Sequence, residues 1–275
     1  MRSTGVVAAI PTFNNAERIT TLLPQVLEQD YSAVFVLDDA SRDGTPDIVR
    51  SQFGTDVKVL SGKENIGAAG NRNRILEQRL GDAALHFIDG DQELISERTP
   101  ELILSSTSHP SVGAVGGLIT DGNGNMWPGN FVPPISLAYY AGGAIQASVM
   151  RLLIKNGHRG LARAMRIGLY PLLRNYPDLT QDPRPRKVFT AIEGNMAINA
   201  SLFERVGGYD PKLRYHEAQD LAFKLQQADY VNMFDPAIET QHSGKFSMRG
   251  KELEIAKATI YLMRKYGRLR FLFSV

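Results

Sequence analysis

Residues 84–91 read Ala-Leu-His-Phe-Ile-Asp-Gly-Asp, a largely apolar run that stops at two carboxylates one residue apart. A run of this length closed by an Asp-Gly turn signal has the form of a buried strand. The pattern predicts a strand over Ala84–Ile88 with Asp89, Gly90 and Asp91 at its carboxyl end. Four runs of the same kind accompany it, at Val6–Ile10, Ala33–Leu37, Val57–Leu60 and Val112–Ile119. Helical patterns near Ala16–Glu28, Pro46–Gln52, Ala68–Leu80 and Ile95–Ser106 separate them. Strands alternating with helices specify an α/β fold with a mostly parallel sheet.

In open sheets of this class, ligands bind beyond the carboxyl ends of the strands. The segments that follow the strands should therefore converge. They are Pro11–Asn14, Asp38-Asp39, the Gly/Asn stretch Asn65–Asn73, and Asp89–Asp91. Two aspartates in the Asp89-Gly90-Asp91 arrangement offer oxygen ligands to a hard ion such as Mg²⁺ or Mn²⁺, which bridges carboxylates to phosphate oxygens. A plain surface turn has the same composition. Asp39 can accept hydrogen bonds from a base or ribose, or it can cap the next turn. The amides around Gly67, at a glycine-rich helix start, can meet phosphate. Arg72 and Arg74 point about 200° apart on that helix, so only one should face the site.

Taken in order, AIPTFNN (9–15), LDDASRDGT (37–45), NIGAAGNRN (65–73), DGD (89–91), EGNMAI (193–198), VGGYD (206–210) and HEAQDLAFKL (216–225) resemble the inverting family 2 glycosyltransferases with the GT-A fold. The likeness covers about residues 5–120 and 189–245. It implies a metal-dependent transfer of a sugar from a nucleoside diphosphate, UDP by family expectation, to an acceptor hydroxyl. The product would be a glycan, cell-surface polysaccharide or glycolipid, and the sugar a hexose or N-acetylhexosamine. The resemblance makes Pro11, Thr12 and Phe13 the base loop, Asp39 the reader of uracil or ribose, and Arg72 the cation near base and phosphates. It sets Asp89 by the ribose, and Asp91 with His242 on Mn²⁺ or Mg²⁺. Glu193, Gly194 and Asn195 would line the donor sugar and acceptor.

The chain departs from that family at the base. Relatives carry Glu-Asp at a helix start, whereas Glu217-Ala218 stands here. Glu217 is the expected replacement and Asp220, three residues on, the second choice. A non-catalytic sugar-nucleotide binder remains the alternative that Ala218 permits. A sugar-phosphate nucleotidyltransferase is disfavoured because Pro11–Asn15 holds no Arg or Lys.

Composition narrows the rest. The absence of cysteine removes disulfide, thiolate and Cys-zinc chemistry. Between Met150 and Lys187 lie nine Lys/Arg against two Asp/Glu, the one hint of an anionic partner. Arg151, Arg159, Arg163 and Arg166 with Tyr139-Tyr140 suggest peripheral contact with an anionic membrane and a lipid-linked acceptor. No nucleic-acid module accompanies them. The uncharged stretch Gly122–Met150 contains Pro133-Pro134 and Gly142-Gly143, which makes a poor spanning helix. Without the apolar core of a signal peptide after MRST, the expected location is the cytoplasm, with peripheral contact at the membrane's cytoplasmic face. The expected organisation is a single domain over 1–275. It comprises a nucleotide half (1–120), an insertion or lid (121–187), an acceptor and catalytic half (188–247) and a C-terminal cationic helix (248–275). Strand is expected over Phe189–Ile198, Val231–Phe234 and Ala237–Thr240, and helix over Leu152–Leu173, Ser201–Val206, Glu217–Gln227 and Met248–Tyr266.

Overall fold

The apolar runs Val6–Ile10, Ala33–Leu37, Ala84–Ile88 and Val112–Ile119 become strands because they are buried on both faces, whereas the edge run Val57–Leu60 is only partly covered. In β1 (Val6–Thr12), Val7 and Ala9 join one core cluster, and Ala8 and Ile10 join the cluster on the opposite face. Alternate residues of a strand point to opposite faces, so a parallel sheet between helical layers reads as a continuous apolar run. The helix α1 (Ala16–Leu27) supplies Ile19, Leu22, Leu23 and Val26 to one of those layers, all with no solvent exposure. Their i, i+3, i+4, i+7 spacing makes one apolar stripe, and burying each such side chain contributes about 1.5–3 kcal/mol.

The structure is a computed structural model that describes residues 5–127, 129–132, 148–149, 151–168, 182–242 and 251–267. Strands β2 (Ala33–Asp38), β3 (Val57–Ser61) and β4 (Ala84–Ile88) run parallel to β1 in the order β3-β2-β1-β4. The sheet continues through β8 (Asn195–Asn199), antiparallel to β4, then β6 (Val112–Asp121), β9 (Val231–His242) and β5 (Gln92–Leu94). A short β7 (Arg186–Val188) pairs with β9. The helices α2 (Thr45–Phe53), α3 (Gly67–Asn73) and α4 (Thr99–Ser106) follow β2, β3 and β5. Further on lie α5 (Arg159–Gly168), α6 (Ala200–Arg205), α7 (Glu217–Gln227) and α8 (Glu252–Tyr266).

Besides a break at residues 156–158 in the helix expected over Leu152–Leu173, three expectations from the sequence need correction. The strand expected over Phe189–Ile198 is broken: β7 ends at Val188 and β8 begins at Asn195, with a turn at Glu193-Gly194 between them. A Cβ at Gly194 would lie 2.8 Å from Gln92 Nε2 and 2.9 Å from Asp89 Oδ2, so only glycine lets this turn press against the end of β4. Conversely, the two short strands after 230 are one. In β9, Gly117 pairs with Asp235 and Leu118 with Glu239, leaving Pro236–Ile238 as a bulge around a proline that cannot donate to a ladder. The helix expected over Ala68–Leu80 tightens after Asn73 into a 3₁₀ turn, Arg74–Gln78. Residues 169–173 and 248–250, with Tyr139-Tyr140, Pro133-Pro134 and Gly142-Gly143, lie outside the described residues. Among the described residues, no helix is long and apolar enough to cross a membrane.

Candidate active site

A cavity of about 420 Å³ opens where β1, β2 and β4 end. Pro11, Thr12 and Phe13 form one side, Asp39, Gly67 and Arg72 the next, and Asp89, Gly90 and Asp91 the floor. Phe13 is 46% exposed, a ring at the mouth with no apolar cover. Gly90 is held by backbone and side chain: its N–H donates to Pro11 O at 3.3 Å, and its carbonyl accepts from Asn15 Nδ2 at 2.7 Å.

Asp39 is buried, and its two oxygens accept the N–H groups of Ile66 and Gly67 at 3.0 and 2.9 Å. Arg74 approaches the same carboxylate at 3.7 Å. The amide donors expected at the start of α3 for phosphate are thus taken by Asp39. The carboxylate itself still lines the cavity. Arg72 and Arg74 separate as their helix positions require, one towards Asp89 and one towards Asp39.

Arg72 is the hub. Its guanidinium is 4% exposed and donates from Nη2 to Asp89 Oδ1 at 2.5 Å, while Nε and Nη1 have no partner. The Tyr209 ring lies beneath it, 6.0 Å from Cζ. Burial opposes its charge, but Asp89, Glu193 and Glu217 outweigh that and hold Arg72 more basic than a free arginine. Around this one cation the fold gathers three carboxylates from three elements: the end of β4, the turn before β8 and the first turn of α7.

Burial, then the neighbouring charge of Glu217, pushes Glu193 up to about 8. Burial also raises Glu217, which Arg72 partly counters. Neither carboxylate has a hydrogen-bond or ion-pair partner in another described residue.

Two expected site residues point elsewhere. Asn195 is 1% exposed and fully used. Its Nδ2 donates to Leu118 O and Ile238 O, both at 3.0 Å, and its Oδ1 lies 2.9 Å from His86 Nε2. Since Nδ2 donates twice, Oδ1 must accept, which makes His86 an Nε2–H donor whose Nδ1 accepts from Tyr31 at 2.8 Å. This staple ties β4, β6, β8 and β9 together rather than presenting an amide to a ligand. Burial lowers His86 to about 4 and keeps it neutral. Asp220 is likewise diverted: Lys265 and Tyr266 donate to it at 2.7 and 2.8 Å, and Lys224 lies at 3.3 Å. It clamps α8 onto α7.

At the far edge of the cavity, Asp91 Oδ2 lies 3.1 Å from His242 Nε2 and 3.6 Å from Arg18. Among the described residues, no three His, Asp or Glu side chains converge in a way that could hold a metal.

A family model described as glycosyl transferase family 2 matches residues 7–207. The chain belongs to glycosyl transferase family 2. This family 2 member is 25% identical to an N-acetylglucosaminyl-diphospho-decaprenol L-rhamnosyltransferase of Mycobacterium tuberculosis, over 82% of this chain and 71% of the relative. Its fold matches a mannosyltransferase from Pyrobaculum calidifontis, solved with GDP-Man and Mn²⁺, at a TM-score of 0.61 and 20% identity, covering 96% of this chain and 64% of that one. GalNAc-T7, solved with UDP, GalNAc and Mn²⁺, gives 0.59 and 15%, covering 88% and 44%. The chain therefore spans just under two thirds of the mannosyltransferase and less than half of GalNAc-T7. The fold of this transferase is GT-A.

The site of this family 2 protein also uses residues that sequence reasoning passed over. Trp127, the lone tryptophan, packs against His242 with ring centroids 4.2 Å apart and planes tilted by 45°. Arg18 neighbours Asp91, and Tyr209 underlies Arg72. Arg214 reaches the Gly67 turn, where a Cβ would lie 3.5 Å from its Nη1. Of these only Trp127 carried a signal, as a single aromatic in a Pro-Gly loop after a strand.

Proposed function

We propose that this chain transfers a sugar from a nucleoside diphosphate, UDP by family expectation, to an acceptor hydroxyl with inversion at the anomeric carbon. The observation that carries the reading is the meeting of Asp39, Arg72, Asp89 and Asp91 in one cavity at the carboxyl ends of β1, β2 and β4, where this sheet class binds ligands. Pro11–Phe13 and Asp39 take the base and ribose, with Asp89 and Gly90 at the ribose side. Arg72, which lines the cavity, is the cation for the phosphates.

The Asp91–His242 pair suits a divalent ion. A carboxylate and an imidazole, here hydrogen-bonded at 3.1 Å, are the oxygen and nitrogen donors that would hold Mg²⁺ or Mn²⁺. Mg²⁺ or Mn²⁺ usually keeps further positions for phosphate oxygens and water, so a two-residue set fits. Bound there, the ion supplies electrostatic stabilisation of the leaving diphosphate. Glu217 takes the proton of the acceptor hydroxyl as its oxygen bonds to the anomeric carbon and the bond to the diphosphate breaks with its electron pair. General-base catalysis contributes about 10²–10⁴-fold. The sugar is a hexose or N-acetylhexosamine in the family expectation, and a deoxyhexose in the rhamnosyltransferase relative.

That relative's name gives a lipid-linked acceptor, and the same class is proposed here. Leu152, Ile154 and Leu161 are 50–59% exposed beside the basic residues Arg151, Lys155 and Arg159, a combination that suits an anionic membrane surface. Sugar-nucleotide binding without turnover is the second reading, and it rests on Ala218.

The test is a panel of UDP-, GDP- and dTDP-sugars with Mn²⁺, with and without anionic liposomes, read by nucleotide release and liposome co-sedimentation. Metal-dependent release from one donor is expected, with salt-sensitive liposome binding. Binding without release in the presence of lipid-linked acceptors would favour the second reading. No effect of any donor would end the proposal.

A further inference from the structure

The chain that leaves β6 turns back over the end of β9. The two strands run in parallel with Asp121 opposite His242, and Gln92 of β5 pairs with His242 on its other side. The turn closes tightly. The Asp121 carboxylate accepts the N–H groups of Asn123 and Asn125, both at 2.9 Å, and the Asp121 N–H donates to Asn125 O at 2.8 Å. Gly124 takes a φ of +74°, a left-handed conformation that glycine adopts without strain.

The returning limb is anchored on both sides of Trp127. Before it, Met126 pairs with Thr120 and is buried with Leu118, Phe131 and Phe234. At Trp127 itself the backbone N–H donates to Ile119 O at 2.8 Å. After it, Asn130 is 1% exposed and uses both amide protons on the turn. Its Nδ2 donates to Ile119 O and to Trp127 O, each at 2.8 Å, and its Oδ1 accepts from Ile119 N at 2.5 Å. The start of the stretch expected as an insertion or lid is thus stapled to the sheet, with the Trp127 ring against His242.

We infer that Trp127 is a positioning residue for the metal pair: its ring, fixed by the Asn130 clip, keeps the His242 imidazole turned so that Nε2 stays beside Asp91 Oδ2, at 3.1 Å. The inference rests on the reading of Asp91 and His242 as a divalent-ion pair. A set of only two side chains leaves much of its orientation to what packs around it. Histidine samples several rotamers, and those that swing Nε2 away break the pair. A rigid ring against one face excludes them before an ion arrives. His242 is the last residue of β9, so the strand fixes its backbone and Trp127 its side chain. Removing a group that orients a metal-binding histidine typically costs 10–100-fold in metal affinity.

The test is Mn²⁺ binding to the metal-free full chain, with and without added UDP, GDP or dTDP, read from the EPR signal of free Mn²⁺. The wild type should bind, and Asp91→Ala should not. Trp127→Ala should weaken binding about 10–100-fold, and Trp127→Phe, which restores a flat ring, should recover most of it. Urea unfolding of each variant separates lost orientation from lost fold. If Trp127→Ala does not unfold cooperatively, Trp127→Leu, with apolar bulk but no flat ring, takes its place with the same expectation. The wild type adds its own readout. Trp127 is the only tryptophan, so paramagnetic Mn²⁺ at the pair should quench tryptophan emission along the same titration curve.

Neither readout requires turnover, so a chain that binds Mn²⁺ without transferring sugar still decides the matter. Unchanged affinity in the folded variant without a ring, or a loss that Trp127→Phe does not recover, overturns the positioning role and leaves the metal pair standing. Mn²⁺ binding that is absent under every condition, or that survives Asp91→Ala, overturns both.

Discussion

The two walls of the cavity treat their carboxylates in opposite ways. On the wall formed at the ends of β1, β2 and β4, every acid is matched. Asp39 accepts two backbone amides and neighbours Arg74, and Asp89 accepts Arg72. Beyond Arg72, on α7 and in the turn before β8, Glu217 and Glu193 receive no hydrogen bond from another described residue and keep only their own backbone N–H. Satisfied buried polar groups rigidify a site, whereas unsatisfied ones cost stability and persist where function needs them. The contrast is the reason we propose binding for the first group and proton chemistry for the second.

Removing the cation that both walls share should have the largest effect. Arg72→Met strips Asp89, Glu193 and Glu217 of their common counter-charge, and breaking a buried pair from one side costs about 3–5 kcal/mol. Urea unfolding measures it. A loss under about 1 kcal/mol, the level of a surface pair, would show that the walls are not coupled through Arg72.

A smaller effect should separate the two acids of α7. Asp220→Asn weakens charge-assisted bonds from Lys265 and Tyr266, a loss of about 1.5–3 kcal/mol, and should leave turnover per folded molecule unchanged. Glu217 sits three residues earlier on the same helix. A loss of about a hundredfold in Asp220→Asn, the scale of a missing base, would transfer the base role to it and erase the contrast.

Much of the nucleotide wall was legible in the sequence. Buried parallel strands announce themselves as apolar runs, and those of β1, β2 and β4 end beside residues that line the cavity. The other wall was less so. The chain from Phe189 to Ile198 keeps a strand-like composition through the turn at Glu193-Gly194, and only the approach of Gly194 to Asp89 explains the break. Asn195 and Asp220 have the chemistry of site residues, but their partners, His86 and Lys265, come from distant segments that spacing does not reveal. The role of Arg72 as hub was hidden for the same reason: its three carboxylates lie 17, 121 and 145 positions away in the numbering.

The central claim is that a metal-bound sugar nucleotide occupies this cavity. An anomalous difference map at the manganese edge, from crystals holding Mn²⁺ and the selected donor nucleotide, tests it most directly. The account predicts one strong peak within bonding distance of Asp91 and His242, with the diphosphate between it and Arg72 and the base against Pro11–Phe13. A nucleotide bound elsewhere, or manganese away from Asp91 when the nucleotide is in place, would contradict it.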